Sequence, residues 1–332
     1  MSFPHVRLIA ALAVSANLGA PSVAAGPAVP ASARPVATAA TAPTVPAGMQ
    51  LRIATGKAGK GFSRVFADIR GICGSVVPLV EVDTEGGLQN LTVLAANKAD
   101  LGFVQVDTFN AMRDSDTSIG ALQALMPMNT NLLHVVARSS GFERPPSGVI
   151  DRLSGSKTVV VGGIGDLKNL PVAVVGSARA LGRELDRTHA LGLQFVDVAT
   201  DEEGLGLLKR GTVAALFSTS GWPSGPVQAL KRSDGLYLVR FDLKVQQPYQ
   251  IVTRNYENLD AFKLPFLGVQ NLLMTRPFTP DGAYGRAVAA LGDCMKKNLV
   301  TLREGPYEPS WQEVKTDAPA IAGVTVFGGV PR

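Results

Sequence analysis

Apolar positions along the chain alternate between two periods. Residues 51–55, Leu-Arg-Ile-Ala-Thr, predict a short strand that runs straight into a glycine-rich stretch at 56–61. Beyond it Phe62, Val65, Phe66 and Ile69 recur at the three- and four-residue spacing of one helix face. The alternation then repeats. Residues 76–82 predict a strand, 88–97 a helix with Leu91, Leu94 and Ala95 on one face, and 100–106 a third strand. Residues 132–138 and 157–161 predict strands, and a helix is expected from Asn169 with Pro171 in its first turn. Strands at 193–198 and 213–218 flank a helix at 202–210; a late strand at 270–275 precedes a helix at 283–297. Strands alternating with helices predict an α/β sheet with crossover connections.

The first 48 residues break this pattern. Residues 1–7 are short and mildly basic, and 8–20 are unbroken apolar or small residues. That run is shorter than the roughly 20 residues a membrane-spanning helix needs. Small residues follow at Ser22-Val23-Ala24. The expectation is a signal peptide over 1–25, cleaved near Ala24 or Ala25, and an exported protein. Residues 26–48 are almost entirely Ala, Pro, Val, Thr and Ser without hydrophobic period, the composition of a disordered tether. The length of 332 residues suggests two domains, and 46% hydrophobic against 18% charged residues allows a sizeable core.

The net charge of +5 includes Arg7 and Arg34 of the leader and tether, which leaves three positive charges on the remainder. An anionic ligand would suit that balance, and so would solubility alone. No dense Lys/Arg run is interleaved with aromatics, so nucleic acid is not an expected partner. Cys73 and Cys294 form no Cys/His cluster, so no metal site is expected. They are a candidate disulfide in an oxidising compartment or else two buried thiols; spacing alone does not set the geometry.

Ligands of open α/β sheets sit beyond the carboxyl ends of the strands. Four turns qualify. The first lacks both the P-loop ending and G-x-G-x-x-G spacing, yet its helix N-terminus with Lys57 and Lys60 suits an anion. A tight turn with solvated lysines would have the same pattern. The others are 84–90, 105–107 and 162–169, where Asp166 reads first as a helix N-cap beside Lys168. A further stretch, 218–223, gathers hydroxyls beside Trp222. The candidate ligand-binding residues are Thr55, Gly56, Lys57, Gly59, Lys60, Phe62, Thr84, Asn90, Gln105, Asp107, Gly163, Asp166, Lys168, Ser220 and Trp222. Catalysis has little support: His5 lies in the leader, His134 in an apolar strand, His189 at a polar helix end, and no G-x-S-x-G elbow occurs.

Several of these stretches resemble the TAXI-type solute receptors of tripartite ATP-independent periplasmic (TRAP) transporters, over roughly residues 50–305. Residues 54–62, Ala-Thr-Gly-Lys-Ala-Gly-Lys-Gly-Phe, look like the family's first turn. Thr84-Glu85-Gly86-Gly87-Leu88-Gln89-Asn90-Leu91 resembles its T-G-G-S-x-x-N-L segment, and residues 99–107, Ala-Asp-Leu-Gly-Phe-Val-Gln-Val-Asp, resemble A-D-L-A-F-V-Q-S-D. Gly221-Trp222-Pro223 matches a later turn. The resemblance implies a two-lobed type II periplasmic-binding-protein fold of class α/β, with crossover hinge strands. It implies lobe 1 over 49–138, lobe 2 over 139–270 and a return to lobe 1 over 271–332, with hinges near 137–138 and 272–275. It further implies closure over a small-molecule ligand, typically a carboxylate or amino acid, membrane transporter subunits as partners, a periplasmic location, and no cofactor or catalytic residue. The chain is expected to act as a monomer.

The departures concern the ligand. Lys57 and Lys60 replace glycines of the first turn, and Ala58, Gly61 and Phe62 lack its hydroxyls. The family's second-lobe cradle, G-S-G-T, is matched here to Gly165-Asp166-Leu167-Lys168, where Asp166 would compete with an anion. That matching disfavours glutamate and favours a polar ligand bearing both charges. A sensor or interaction scaffold on the same fold is the competing expectation.

Overall fold

The computed structural model describes residues 48–144, 157–316 and 321–328. The expected signal peptide, and the expected tether up to its last residue, lie outside these residues.

The first half opens with β1 (Leu51–Ala54), α1 (Gly61–Cys73), β2 (Leu79–Val82), α2 (Gly87–Ala95), β3 (Leu101–Gln105), α3 (Val106–Arg113) and α4 (Thr117–Gly120). β3 is buried at every position, as expected of a parallel strand covered on both faces. α1 turns Val65, Phe66, Ile69 and Cys73 inward, the apolar stripe legible in its spacing. Gly102 lets α2 pack close on β3, because a Cβ there would lie 3.1 Å from Leu94. Gly86 enters α2 at φ +117°, a conformation side chains rarely adopt.

β4 (Gln123–Arg138) leads into the second half: β5 (Phe142–Arg144), β6 (Lys157–Val159), β7 (Pro171–Val175), α5 (Ala178–His189), β8 (Gln194–Val198), α6 (Asp201–Lys209), β9 (Ala215–Ser220), α7 (Gly225–Gln228), β10 (Leu236–Leu238) and β11 (Tyr249–Tyr256). β12 (Ala261–Thr275) returns to the first half, followed by α8 (Ala283–Lys297), α9 (Leu299–Glu304) and β13 (Thr325–Val326). Among the described residues no helix is long and apolar enough to cross a membrane.

The main sheet runs β2-β1-β3-β12-β4-β9-β7-β8. β1, β2 and β3 are parallel, as are β7, β8 and β9. β4 and β12 are antiparallel to each other and belong to both halves. β12 pairs with β3 through Asn271–Thr275 and with β11 through residues 261–269. β4 pairs with β9 only from Leu132 onward. The passage between halves therefore falls inside the two strands, at residues 129–131 and 270–271. Each half has apolar clusters on both faces of its sheet, with Phe66 and Phe103 in the first half and Phe217 in the second completely buried. This is a two-lobed α/β architecture with crossover strands.

Two expectations are corrected. The helix expected from Asn169 is the strand β7, because Pro171-Val-Ala-Val-Val is β-branched and buried at its centre. The expected strand at 157–161 stays out of the main sheet and pairs only with β5. Cys73 and Cys294 form a disulfide that joins the end of α1 to α8.

Candidate functional site

The parallel strands of both halves end on one cleft of about 1480 Å³. From the first half, Gly56 to Phe62 follow β1, Glu85 to Gln89 follow β2, and Gln105, Asp107 and Thr108 follow β3. α1, α2 and α3 start there, capped by Lys60, Gly86 and Gln105, none of which makes a side-chain cap hydrogen bond. From the second half, Gly176 and Ser177 follow β7, Ala199 to Asp201 follow β8, and Ser218 to Gly221 follow β9. α5 also begins without a side-chain cap, whereas Thr200 caps α6 by accepting from the Glu203 N–H at 3.2 Å. The uncapped helix starts place partial positive charge at the cleft.

Formal charge adds to this. α5 presents Arg179, Arg183 and Arg187 to the cleft at four-residue spacing. Arg179 pairs with Asp197 at 2.7 Å, and Arg187 with Glu184 at 2.5 Å. Opposite, Lys57 pairs with Glu85 at 2.9 Å and Arg64 with Glu308 at 2.5 Å. Arg183 and Lys60 make no ion pair among the described residues, so each half offers one uncommitted cation. The Glu202 carboxyl sits below its usual range, chiefly through its own backbone N–H and the Thr200 hydroxyl; Lys60 adds a smaller pull from the other half.

The floor is amide-rich. Asn129 and Asn131 of β4 line the cleft. The fully buried Asn271 of β12 donates its Nδ2 to the Oδ1 of both, at 3.2 and 2.9 Å. Gly221 closes over them, since a Cβ there would lie 2.9 Å from Asn129 Nδ2. At one side Tyr249 of β11 donates its hydroxyl to Asp107 Oδ2 at 3.3 Å, while Thr108 N–H donates to Oδ1 at 2.7 Å. Burial raises both the Asp107 carboxyl and the Tyr249 hydroxyl above their ordinary ranges. Behind the cleft, His134 is completely buried, with Nε2 2.7 Å from the Tyr256 hydroxyl and Nδ1 3.4 Å from Ser220 Oγ. Desolvation lowers its pKa to about 3, so it is neutral at ordinary pH. Among the described residues no group of three His, Cys, Asp or Glu could hold a metal ion.

Of the residues singled out from sequence, Gly56, Lys57, Lys60, Phe62, Gln105, Asp107 and Ser220 line this cleft. Thr55, Thr84 and Asn90 lie behind it as one buried network. Asn90 Nδ2 donates to the carbonyls of Thr55 and Phe103 at 2.8 and 2.7 Å, and its Oδ1 accepts from Thr84 Oγ1 at 2.5 Å. Gly59 shapes the first turn, its N–H donating to Ser63 Oγ and its carbonyl accepting from Arg64. Trp222 turns toward β11, donating Nε1–H to the Asn255 carbonyl and lying 5.5 Å beneath the Arg254 guanidinium.

Gly163, Asp166 and Lys168 are corrected. They lie before β7, at the end of that strand away from the cleft. Asp166 there accepts from the N–H groups of Gly162 and Gly163, and Ile164 N–H donates to Asp242. The error follows from reading 171–175 as helix, which moved the second half's strand-end turn one element too early. The turn at the cleft is Gly176-Ser177-Ala178-Arg179. Asp166 therefore does not face the cleft, and Gly176 and Ser177 line it instead. Arg179, Arg183, Arg187, Ser177, Asn129 and Tyr249 were missed for the same reason or because they lie on long elements. A β-branched run ending in Gly-Ser, then arginines four apart, was the available signal.

No family model matches the chain, and no curated protein matches it. Solved structures do share its general shape. A Streptococcus pneumoniae amino acid ABC transporter substrate-binding protein bound to L-arginine aligns over 80% of this chain and 95% of its own, at 10% identity and TM-score 0.47. The GluR0 ligand-binding core in complex with L-glutamate aligns over 81% of this chain and 100% of its own, at 12% identity and TM-score 0.47. A histidine kinase sensor domain with similarity to periplasmic binding proteins aligns over 80% and 97%, at 12% identity and TM-score 0.45. Likeness at this level carries nothing about what this chain binds.

Proposed function

We propose that the protein is a periplasmic solute-binding protein that closes over a small polar ligand bearing an anionic group and presents it to a TRAP-type membrane transporter. The observation that supports this most is the convergence of six strand-end turns, three from each half, on one cleft, with four helix starts there lacking a side-chain cap. Such starts and the uncommitted Lys60 and Arg183 favour negative charge. Closure would swing the halves about residues 129–131 and 270–271, where only two strands connect them. The leader expected over residues 1–25 supports the periplasmic location, and the resemblance at residues 99–107 supports the transporter assignment. A carboxylate-bearing solute is favoured, now that Gly176 and Ser177 rather than Asp166 face the cleft.

A thermal-shift screen of the purified protein against amino acids, keto acids, sugars and organic cations tests the reading. A ligand at 100 times its Kd stabilises by about 2.7 kcal/mol. The expected result is a rise in melting temperature with carboxylates. Stabilisation by sugars or cations alone would overturn the anion assignment.

A further inference from the structure

The two walls of the cleft differ in chemistry. The first half's wall carries, beside the charged groups Lys57, Lys60 and Glu85, an apolar element that water still reaches. Leu88, in the first turn of α2, is 59% exposed. Phe62, Ala111 and Met112 line the same cleft. Among the described residues Leu88 is the one strongly exposed large hydrophobic that also lines the cleft. The second half's wall carries the α5 arginines, of which Arg183 is uncommitted. A small hydrophilic diacid would satisfy the arginines and leave Leu88 facing water. The cleft also exceeds the roughly 300–1,000 Å³ of common ligand pockets, so it has room for a larger body.

We infer that the ligand is an acid with an apolar body, of the aryl- or branched-alkyl-carboxylate class, its carboxylate meeting Arg183 and the start of α5 and its body covering Leu88 and Met112. This rests on the solute-binding reading above. The apolar wall supplies affinity by removing hydrocarbon from water; the arginine sets orientation. Glu85, Glu184 and Glu308 are each paired with a cation, and Asp107 is held by Thr108 and Tyr249. Asp201, at the start of α6, is the one cleft carboxylate with neither an ion pair nor a side-chain hydrogen bond among the described residues, so little further acidic charge remains to repel the ligand.

Isothermal titration of the purified protein with 3-phenylpropionate, 4-methylvalerate, phenylalanine, leucine, succinate and glutamate tests the inference. At least one of the first four is expected to bind about ten-fold tighter than both succinate and glutamate. For that ligand, Leu88→Asn and Arg183→Gln should each weaken binding about five-fold or more. Both side chains are exposed, so the melting temperature of the free protein checks that the fold is intact. Tighter binding of succinate or glutamate overturns the inference and leaves the solute-binding reading standing. An unchanged affinity in Leu88→Asn overturns the assignment of the apolar wall. Binding of none of the six overturns the carboxylate reading itself.

Discussion

Replacing Asn90 by leucine tests whether this residue serves the scaffold or the ligand. Leucine matches asparagine in branching and heavy-atom count but is bulkier, so no cavity is made. What is lost is polar. The carbonyls of Thr55 and Phe103 lose their donor at 2.8 and 2.7 Å, and the Thr84 hydroxyl loses its acceptor at 2.5 Å. Asn90 is completely buried, so water cannot take its place. A buried polar group left unpaired costs about 1–3 kcal/mol. Phe103 lies in the paired region of β3 and retains ladder partners, which lowers its share. The expected loss is about 3 kcal/mol, measured by urea unfolding at neutral pH. Ligand affinity, measured below the melting transition, should change by less than about three-fold, because Asn90 does not line the cleft. A loss under about 1 kcal/mol, or a collapse of affinity with stability intact, would refute the assignment.

Other predictions follow from burial and geometry. The His134 imidazole is neutral in the fold, with a pKa of about 3, and titrates near 6.5 when unfolded. Its contribution is complete above pH 6.5 and is lost as pH falls toward 3. About 2 kcal/mol should be missing at pH 5 relative to pH 7.5, and the difference between wild type and His134→Gln in paired urea titrations should show it. Reducing the disulfide, or replacing both partners by serine, removes a crosslink spanning 221 residues and should cost about 2–5 kcal/mol in urea unfolding. Gly285→Ala should destabilise although alanine is the better helix former, since its Cβ would clash with the Thr279 carbonyl oxygen. An unchanged or raised melting temperature would count against that contact.

The first half was legible because its elements obey local rules. The stripe of α1 and the apolar run of β3 each name one structure, and each turn follows the strand it closes. The second half misled at Pro171, where a residue tolerated in a first helical turn starts a strand instead. That choice depends on the pairing of Val172 with Phe195 and Ala215, which no local pattern contains. The crossover strands were seen only at one end each, 132–138 and 270–275. The sequence of β4 is polar at Asn129, Thr130 and Asn131, and these interrupt the apolar period where the strand passes under the cleft. Thr55, Thr84 and Asn90 show the complementary limit. Their residue types and places suit a ligand, and only the structure reveals that their polar atoms are spent on one another, on Glu81 and on the backbone.

β12 lies between β3 and β4, although well over a hundred residues separate it from either along most of its length. As the chain emerges, the first half's sheet therefore has a gap at its centre until residue 275 arrives. The second half, a nearly continuous insertion, has β7, β8 and β9 in hand long before. Its sheet can form while the first half still exposes Leu101 and Phe103 to solvent. The order of assembly thus runs against the order of synthesis: the half that begins the chain is the half completed last. Cys294 follows β12 along the chain, so its link to Cys73 cannot precede the arrival of the first half's central strand.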